Sequence, residues 1–402
     1  MINKNTDNTP ASLRKAHRGL FLSDIQMSPG ISRAELARRQ GFSEMAATRI
    51  VRELVAAGIV EEFSVDTPKK SVGRPKTGLR IVKDGIFAGG ITVSAYHSEV
   101  SICDANGSPV ARAHLDDPPL ADVAETAKFY ARALHDLIIA SGIDQDRMVG
   151  VGVSLSARTQ PEEGRIVKSE YFGWGGDDGR FCREIRALTN LPVEVENISN
   201  SLAIAEMRFG AARDISDFTL IHAATFVGAS VVSDHRLVRG ASEVSGLIGH
   251  FRAQTRPLEC VCGRNDCLNL SATGFGLLSQ LGKLDHQRFD RSRLSYYATS
   301  LLAALEDGKA DALVQQAGAQ LAPALDCIVK LLGPQRVILS GHLGTNETYY
   351  SAVETALRND FDYGTDSDFE LTKGTFSSGD AAALLALHVF CYSNRLDYQR
   401  FA

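Results

Sequence analysis

The segment from His250 to Cys267 constrains the fold of this chain more tightly than any other. It places one imidazole and three thiols within eighteen residues, at His250, Cys260, Cys262 and Cys267. One histidine and three cysteines are a ligand set of closed, tetrahedral zinc sites, and Gly263 permits the sharp turn that such a loop needs. We therefore predict that these four residues hold one structural zinc ion. The alternative is a group of reduced thiols beside a helical turn.

Length and composition limit the class of protein. The 402 residues, of which 44% are hydrophobic, are enough for two or three domains with apolar cores. No apolar run approaches the roughly 20 residues of a membrane span, and the polar, basic start lacks the apolar core of a secretory signal. The odd count of seven cysteines favours a reducing compartment. We expect a cytoplasmic protein without membrane segments, with the four other cysteines buried in its core.

Charge is unevenly distributed along the chain. The net charge is −5, but residues 1–80 contain 14 basic and 8 acidic side chains, a net charge of +6. The remaining residues contain 29 basic and 40 acidic side chains, a net charge of −11. A basic amino-terminal segment on an acidic body favours a head that binds a polyanion.

The amino-terminal segment has the pattern of a helix-turn-helix. A polar tail at residues 1–11 precedes a helix predicted over Ser12–Met27. Two further helices are predicted over Arg33–Gln40 and Glu44–Ala57, with Gly41 in the tight turn between them. The alternative is a plain helical hairpin whose charged face is only solvated.

Candidate DNA-contact residues lie on the second of these two helices. Ser43 caps it, and its exposed face carries Thr48, Arg49 and Arg52. Thr48 and Arg49 are placed to reach base edges or phosphates, and Arg52 to reach a phosphate. We predict that all four residues contact double-stranded DNA.

A wing follows the helices. Strands are predicted over Ile59–Phe63 and Leu79–Val82, joined by a basic Gly-Arg-Pro turn. Arg74 and Lys76 in this turn are placed for contacts with the DNA backbone or the minor groove. Residues 12–82 are therefore predicted to form a winged helix-turn-helix domain that binds an operator.

The rest of the chain alternates strands with helices, which indicates an α/β body. Paired strands are predicted within Gly85–Cys103 and a buried strand over Met148–Ser156. Another strand is predicted over Arg336–Ser340, and the last long helix over Gly379–Tyr392.

Three stretches, in chain order, together resemble the ROK family (repressors, open reading frames and sugar kinases), and within it the winged-helix repressors of the xylose-repressor type. They are SRAELARRQGFSEMAATRIVRELVAAGIVEE, the turn GRPK and the cysteine-rich segment. The resemblance covers nearly the whole chain from about residue 12. It implies that residues 83–402 form a two-lobed, sugar-kinase and actin-like (ribonuclease H-like) body with a sugar-binding cleft. The small lobe would comprise about 83–200 and the C-terminal helix, and the large lobe about 201–378.

The resemblance also implies which groups a sugar kinase needs, beginning with an Asp-x-Gly-x-Thr phosphate loop. This loop corresponds to GGITVSAYHSEV, where Thr92, Ser94 and Tyr96 occupy the three defining positions. The carboxylate that handles metal and phosphate is therefore absent, and so is the glycine that allows close approach.

Two further kinase features differ from the family pattern. The Gly-rich loop corresponds to AATFVGAS, with Ala224 and Phe226 at glycine positions and only Gly228 retained. Ile198 stands where the family has the catalytic aspartate after an asparagine, and isoleucine cannot accept a proton. We expect that the chain is not an enzyme.

Effector binding is a separate expectation. By resemblance, Asn197, His250 and Asn269 are the candidate effector-binding residues. Asn269 and Leu247 replace two glutamates that hold sugar hydroxyls in the family. Either the effector is not an ordinary hexose, or the cleft no longer senses a sugar.

These observations predict a DNA-binding transcriptional regulator. We expect a repressor of carbohydrate or related metabolic genes that acts as a homodimer or homotetramer, with a sugar or sugar derivative as its effector. One alternative is a regulator that binds DNA constitutively and keeps a vestigial cleft. The other is a sugar kinase with an added head.

Overall fold

The computed structural model describes residues 10–65, 76–94, 98–116, 118–241, 244–284, 288–360 and 369–401. The predicted DNA-contact residue Arg74 and the phosphate-loop residue Tyr96 lie outside these segments, as do residues 1–9 of the predicted tail.

The head of the molecule contains three helices and a two-stranded sheet. The helices are α1 (Pro10–Met27), α2 (Arg33–Gln40) and α3 (Glu44–Ala56), and the antiparallel strands are β1 (Val60–Val65) and β2 (Lys76–Ile81). The hydroxyl of Ser32 caps α2 by accepting a hydrogen bond from the amide of Glu35 at 3.2 Å. Gly41 ends α2 in the left-handed conformation, with φ 69°.

Two details of the head differ from the sequence-based expectation. Helix α1 begins at Pro10, two residues inside the predicted tail, because proline suits the first turn of a helix. Lys76, predicted in the turn of the wing, is the first residue of strand β2.

The first sheet of the body has the described strand order β5-β4-β3-β6-β9. Its strands are β3 (Phe87–Val93), β4 (Ser98–Asp104), β5 (Pro109–His114), β6 (Met148–Leu155) and β9 (Val193–Asn197). Along the chain, a separate small hairpin of β7 (Arg158–Gln160) and β8 (Arg165–Lys168) follows β6 and precedes β9. Strands β3, β6 and β9 are parallel, whereas β4 and β5 are antiparallel. Helices α4 (Val123–Ser141) and α5 (Arg180–Thr189) pack together against this sheet.

Helix α6 (Ile198–Phe209) leads from the first sheet to the second, whose described strand order is β12-β11-β10-β13-β14. Its strands are β10 (Phe218–Ala223), β11 (Val227–Ser233), β12 (Arg236–Leu237), β13 (Arg336–Ser340) and β14 (Glu370–Lys373). The helices of this lobe are α7 (Gly274–Gln280), α8 (Leu294–Glu306), α9 (Asp311–Leu332), α10 (Gly341–Gly344) and α11 (Glu347–Asp360).

The last helix, α12 (Ser378–Ala386), packs against the first sheet and continues as a π-helical turn over Leu387–Cys391. Glycine at positions 90 and 152 permits this packing. A Cβ atom at Gly90 or Gly152 would overlap the backbone of α12 at Ala382 and Ala383.

The architecture is a winged-helix head followed by two α/β lobes, which confirms the predicted fold class. Within the described residues, no helix is both long and apolar enough to cross a membrane. One expectation about the core is wrong, because Cys327 is exposed on α9, whereas Cys103, Cys182 and Cys391 are buried as expected.

The head and the body share one hydrophobic core. Phe21 and Ile25 of α1 belong to the same buried cluster as Leu387, Phe390 and Tyr392 of the carboxy-terminal segment. Polar contacts reinforce the junction. The hydroxyl of Tyr398 donates a hydrogen bond to the carbonyl of Glu53 in α3 at 2.8 Å, and Arg18 of α1 stacks on the ring of Tyr398 at 4.1 Å from its centroid. The head is therefore docked on the body rather than tethered to it.

Gly19 sets how closely α1 approaches the carboxy-terminal segment, because an added Cβ would overlap the carbonyl group of Ser393. We expect Gly19→Ala to destabilise the protein by about 1–3 kcal/mol, the usual effect of overpacking, and to lower the melting temperature measured by circular dichroism. Gly175→Ala is the matched control, since a Cβ there meets nothing within 4 Å. Equal melting temperatures for the two variants would contradict this close packing.

Candidate functional site

The four predicted zinc ligands converge in the structure. One potential ligand atom from each of His250, Cys260, Cys262 and Cys267 lies within 4.8 Å of all the others. Nδ1 of His250 is 3.7 Å from Sγ of Cys260, and the sulfurs of Cys262 and Cys267 are 3.4 Å apart. Ligand atoms of a tetrahedral zinc site with 2.3 Å bonds are about 3.8 Å apart, so the cluster has the dimensions to hold a metal ion.

The loop that carries the cluster is held by hydrogen bonds at both ends. The amide of Gly263 donates to the carbonyl of Cys260 at 2.8 Å and closes the turn, in which Gly263 has φ 84°. The Arg264 guanidinium donates to the carbonyl of His250 and, at 3.1 Å, to the sulfur of Cys267. These contacts bring the histidine and the third cysteine to one point although they are far apart along the loop.

A bound cation would offset the electrostatic cost of bringing three thiolates together. Burial raises the pKa of the Cys260 thiol, and the neighbouring sulfurs of Cys262 and Cys267 raise it further. Three thiolates at these distances repel one another, and a divalent cation among the donor atoms removes that repulsion.

A cavity of about 320 Å³ lies beside this cluster, between the two lobes. Its wall includes the start of α6 and the loop between β10 and β11, together with His250 and Cys262 from the metal cluster. The cavity opens where parallel strands β6 and β9 end, the edge at which ligands bind in many α/β proteins.

Two of the three predicted effector-binding residues line this cavity, and the third lies behind its wall. Asn197 caps α6, because its Oδ1 accepts from the amide of Ser199 at 2.9 Å. His250 is half-buried and lines the cavity between the cluster and the open space. Asn269 is buried, and its Oδ1 accepts a hydrogen bond from the amide of Val227 at 3.0 Å. Asn269 thus supports the loop that forms the wall.

The positions that correspond to the kinase loops have structural contacts. Thr92 is buried and donates a hydrogen bond to the carbonyl of Ser378 at 3.0 Å. Phe226 packs against the rings of Tyr171 and Phe275, with centroid distances of 4.6 and 5.4 Å. Ile198 lines the cavity and is otherwise buried in the core that reaches the head.

Sequence reasoning missed several side chains that line the cavity, among them Arg158, Tyr171 and Arg239. Arg158 lies three residues after the end of the buried strand β6, and a polar residue near the carboxyl end of a parallel strand is a signal that could have identified it. No comparable local signal precedes Tyr171 or Arg239, whose positions depend on the folding of distant segments.

The predicted DNA-contact residues of α3 share one surface of the head. Arg49 and Arg52 are exposed, Thr48 is half-buried, and exposed Ser43 caps α3 by accepting from the amide of Ala46 at 3.3 Å. Neither arginine has an ion-pair or hydrogen-bond partner within the described residues.

Other arginines of the head, by contrast, are neutralised. Arg33 pairs with Glu62 at 2.6 Å and Arg80 with Glu61 at 2.7 Å. Because these two positive charges are already compensated, they attract a polyanion less strongly than the unpaired Arg49 and Arg52 of α3.

Comparisons with known proteins agree with this architecture. The ROK family model matches residues 88–384, and a winged helix-turn-helix DNA-binding model matches residues 22–61. The xylose repressor of Bacillus subtilis (strain 168) is 27% identical over 332 residues, which cover 81% of this chain and 82% of that protein.

Two solved structures show the same fold. A ROK family transcriptional regulator, a homolog of the E. coli MLC protein, matches with a TM-score of 0.77 and 21% identity, covering 97% of this chain and 99% of its own. A ROK hexokinase from Thermus thermophilus matches with a TM-score of 0.56 and 24% identity, covering 75% of this chain and 97% of its own. The body therefore has the sugar-kinase-like fold of both.

Proposed function

The chain belongs to the ROK family, and on that premise we propose that it is a DNA-binding transcriptional repressor of carbohydrate or related metabolic genes. The observation that carries this proposal is the pair of exposed, unpaired guanidinium groups at Arg49 and Arg52 on α3. The similarity to the xylose repressor of Bacillus subtilis over 81% of the chain supports the same function.

In this proposal, α3 enters the major groove of an operator. Arg49 and Thr48 reach base edges or phosphates, and Arg52 reaches a phosphate. Arg74 and Lys76 of the wing contact the DNA backbone or the minor groove. The exposed Met45, with 84% of its surface accessible, lies on the same helix and would be covered when the helix meets DNA.

The repressor acts as a homodimer or homotetramer in this proposal. A two-fold assembly presents two α3 helices related by symmetry, which favours a palindromic operator. A ligand that binds one arrangement of the heads more tightly than another would then change the affinity for DNA.

The contacts of α6 support a route from the cavity to the head. Its first turn, at Asn197 and Ile198, lies at the cavity, and Arg208 in its last turn donates to the hydroxyl of Ser23 in α1 at 2.7 Å. The 12 residues span about 18 Å. A displacement of the first turn by a ligand therefore reaches α1 through a single rigid element.

Glu206 connects α6 to the segment that precedes α12. This carboxylate is fully buried and accepts hydrogen bonds from the amides of Thr375 at 2.6 Å, Phe376 at 3.0 Å and Ala211 at 2.7 Å. Because Thr375 and Phe376 directly precede the segment that begins α12, the two helices are coupled, and both contact the core shared with the head.

We propose that the body has no kinase activity. Ile198 provides no proton acceptor at the cavity, and Phe226 fills space beside Tyr171 and Phe275 with an aromatic ring.

The metal of the cysteine-rich loop is, in this proposal, a structural zinc ion held by His250, Cys260, Cys262 and Cys267. Zinc prefers nitrogen and sulfur donors in a tetrahedral arrangement, and the donor distances of the cluster fit that preference. The ion would fix the loop that brings His250 to the cavity.

A second candidate is a repressor that binds DNA constitutively. Leu247, an apolar residue with 41% of its surface accessible, lines the cavity, and Asn269 is buried behind the wall. The two positions at which the family resemblance implies sugar-holding carboxylates thus provide none. Unchanged operator affinity with every ligand that binds the cavity would favour this candidate.

Arg49→Ala tests the DNA-binding surface. The measurement is a gel-shift titration at fixed salt with the DNA that flanks the gene for this protein. We expect the affinity of the variant to fall by roughly 5- to 150-fold, because a specific arginine contact contributes about 1–3 kcal/mol. Arg358→Ala removes the same charge from an exposed site on α11 and should leave the affinity unchanged. Equal affinities of both variants and the unaltered protein would refute the placement of the head.

The zinc proposal predicts one zinc ion per chain by elemental analysis. Cys262→Ser should lose the ion and lower the melting temperature, because metal binding stabilises only the folded loop. Cys327→Ser changes an exposed thiol outside the cluster, so this variant should keep the zinc ion and the melting temperature of the unaltered protein. A purified protein that is folded and thermally stable without any bound metal would contradict the proposal.

Ile198→Asp tests the absence of kinase activity. We expect no sugar-dependent ATP turnover in a coupled assay, either before or after this substitution, because Phe226 and the altered phosphate loop remain. Turnover by the variant would show that the phosphate-binding elements still function.

A further inference from the structure

The charges that line the interlobe cavity do not balance. Three charged side chains line it, namely Arg158, Glu170 and Arg239. Glu170 pairs with Lys168 at 3.1 Å, and Arg239 pairs with the buried Glu196. Arg158 influences Glu170 only from beyond ion-pair distance, and it has no ion-pair or hydrogen-bond partner within the described residues. One positive charge of the wall is therefore uncompensated.

The imidazole of His222 adds no charge to the wall. Burial lowers the pKa of His222 to about 3, so its ring is neutral at physiological pH. Among the charged side chains that line the cavity, Arg158 is therefore the one without an ion-pair partner within the described residues.

The Arg158 guanidinium is both charged and incompletely solvated. Its Nε is buried and has no hydrogen-bond partner within the described residues. An arginine in a protein does not lose its proton, and a buried N–H of a charged group without a partner costs free energy. An anionic ligand in the cavity would supply both the missing acceptor and the missing charge.

The remaining wall suits a small hydroxylated ring. His222 is 8% exposed, and its Nδ1 has no hydrogen-bond partner within the described part of the chain. Tyr171 and Phe226, with ring centroids 4.6 Å apart, form an aromatic side of the cavity. A volume of about 320 Å³ limits the ligand to a single sugar ring or a molecule of that size.

We propose that the cavity binds a monosaccharide-sized carboxylic acid and that Arg158 holds its carboxylate. This inference rests on the proposed function, because it identifies the chemical class of the effector that the repressor would sense. The planar guanidinium offers paired N–H donors in the geometry that a carboxylate accepts.

A sugar phosphate fits the same wall less well. A phosphate monoester carries about 1.5 to 2 negative charges at pH 7, whereas the wall offers one uncompensated positive charge. A carboxylate carries one negative charge and is matched by Arg158 alone.

Direct binding measurements test this assignment. We would titrate the full chain by calorimetry with D-glucuronate, D-galacturonate, D-gluconate, D-glucose and D-glucose 6-phosphate at constant ionic strength. We expect at least one of the acids to bind, and no detectable binding of D-glucose. Arg158→Gln should raise the dissociation constant of that acid at least about tenfold, the loss expected for a hydrogen bond to a charged group.

Two further variants separate a specific contact from general effects. Arg158→Lys keeps the charge without the planar donor pair, so its affinity should lie between those of the unaltered protein and Arg158→Gln. Arg358→Gln, which changes an exposed side chain of α11, should bind the acid normally. The Arg158 side chain makes no ion pair or hydrogen bond within the described residues. We therefore expect the Arg158 variants to keep the melting temperature of the unaltered protein.

Three results would overturn the proposal: no binding of any of the three acids, tighter binding of D-glucose 6-phosphate than of every acid, or full acid affinity in Arg158→Gln. The gel-shift titration of the ligand-free protein separates this failure from that of the proposed function. If operator binding persists while the acids fail, the repressor function stands and only the ligand class is wrong. If operator binding itself is absent, the proposed function fails.

Discussion

The continuous hydrophobic core between the head and the body is the constraint on which the rest of the structure depends. Ile198 at the cavity and Phe21 in α1 belong to one buried cluster. Gly19 allows α1 to approach the carboxy-terminal segment closely enough to join this cluster. Because packed cores resist gradual deformation, a change at the cavity and a change at α3 are energetically linked. A tethered head would not have this property.

The metal-ligand cluster and the cavity beside it are organised differently. The cluster brings four donor atoms within 4.8 Å of one another and is tied by Arg264 to both of its ends. The cavity, in contrast, leaves Nε of Arg158 and Nδ1 of His222 buried without partners within the described residues. A buried N–H without an acceptor costs free energy, and a ligand that supplies the acceptor removes that cost. This difference suits a rigid support beside a binding site.

Features set by neighbouring residues were predictable from the sequence, and features set by distant ones were not. The caps at Ser32 and Gly41 depend on residues within a few positions, and both are in the structure. The four potential metal ligands lie within one short segment of the sequence, so their convergence was also predictable. The identity of the ion stays a prediction. The position of Arg239 at the cavity and the bond between Asn269 and Val227 required folding of segments more than 40 residues apart, because nothing in the local pattern specifies which strands meet.

Amide hydrogen exchange of the full chain tests the shared core most directly. If the head and the body unfold as one unit, the buried amides of Phe21, Leu22 and Ile25 in α1 will have the same opening free energy as those of Leu384 and Leu387. Much faster exchange in α1, while Leu384 and Leu387 remain protected, would show that the head opens independently and would contradict the account.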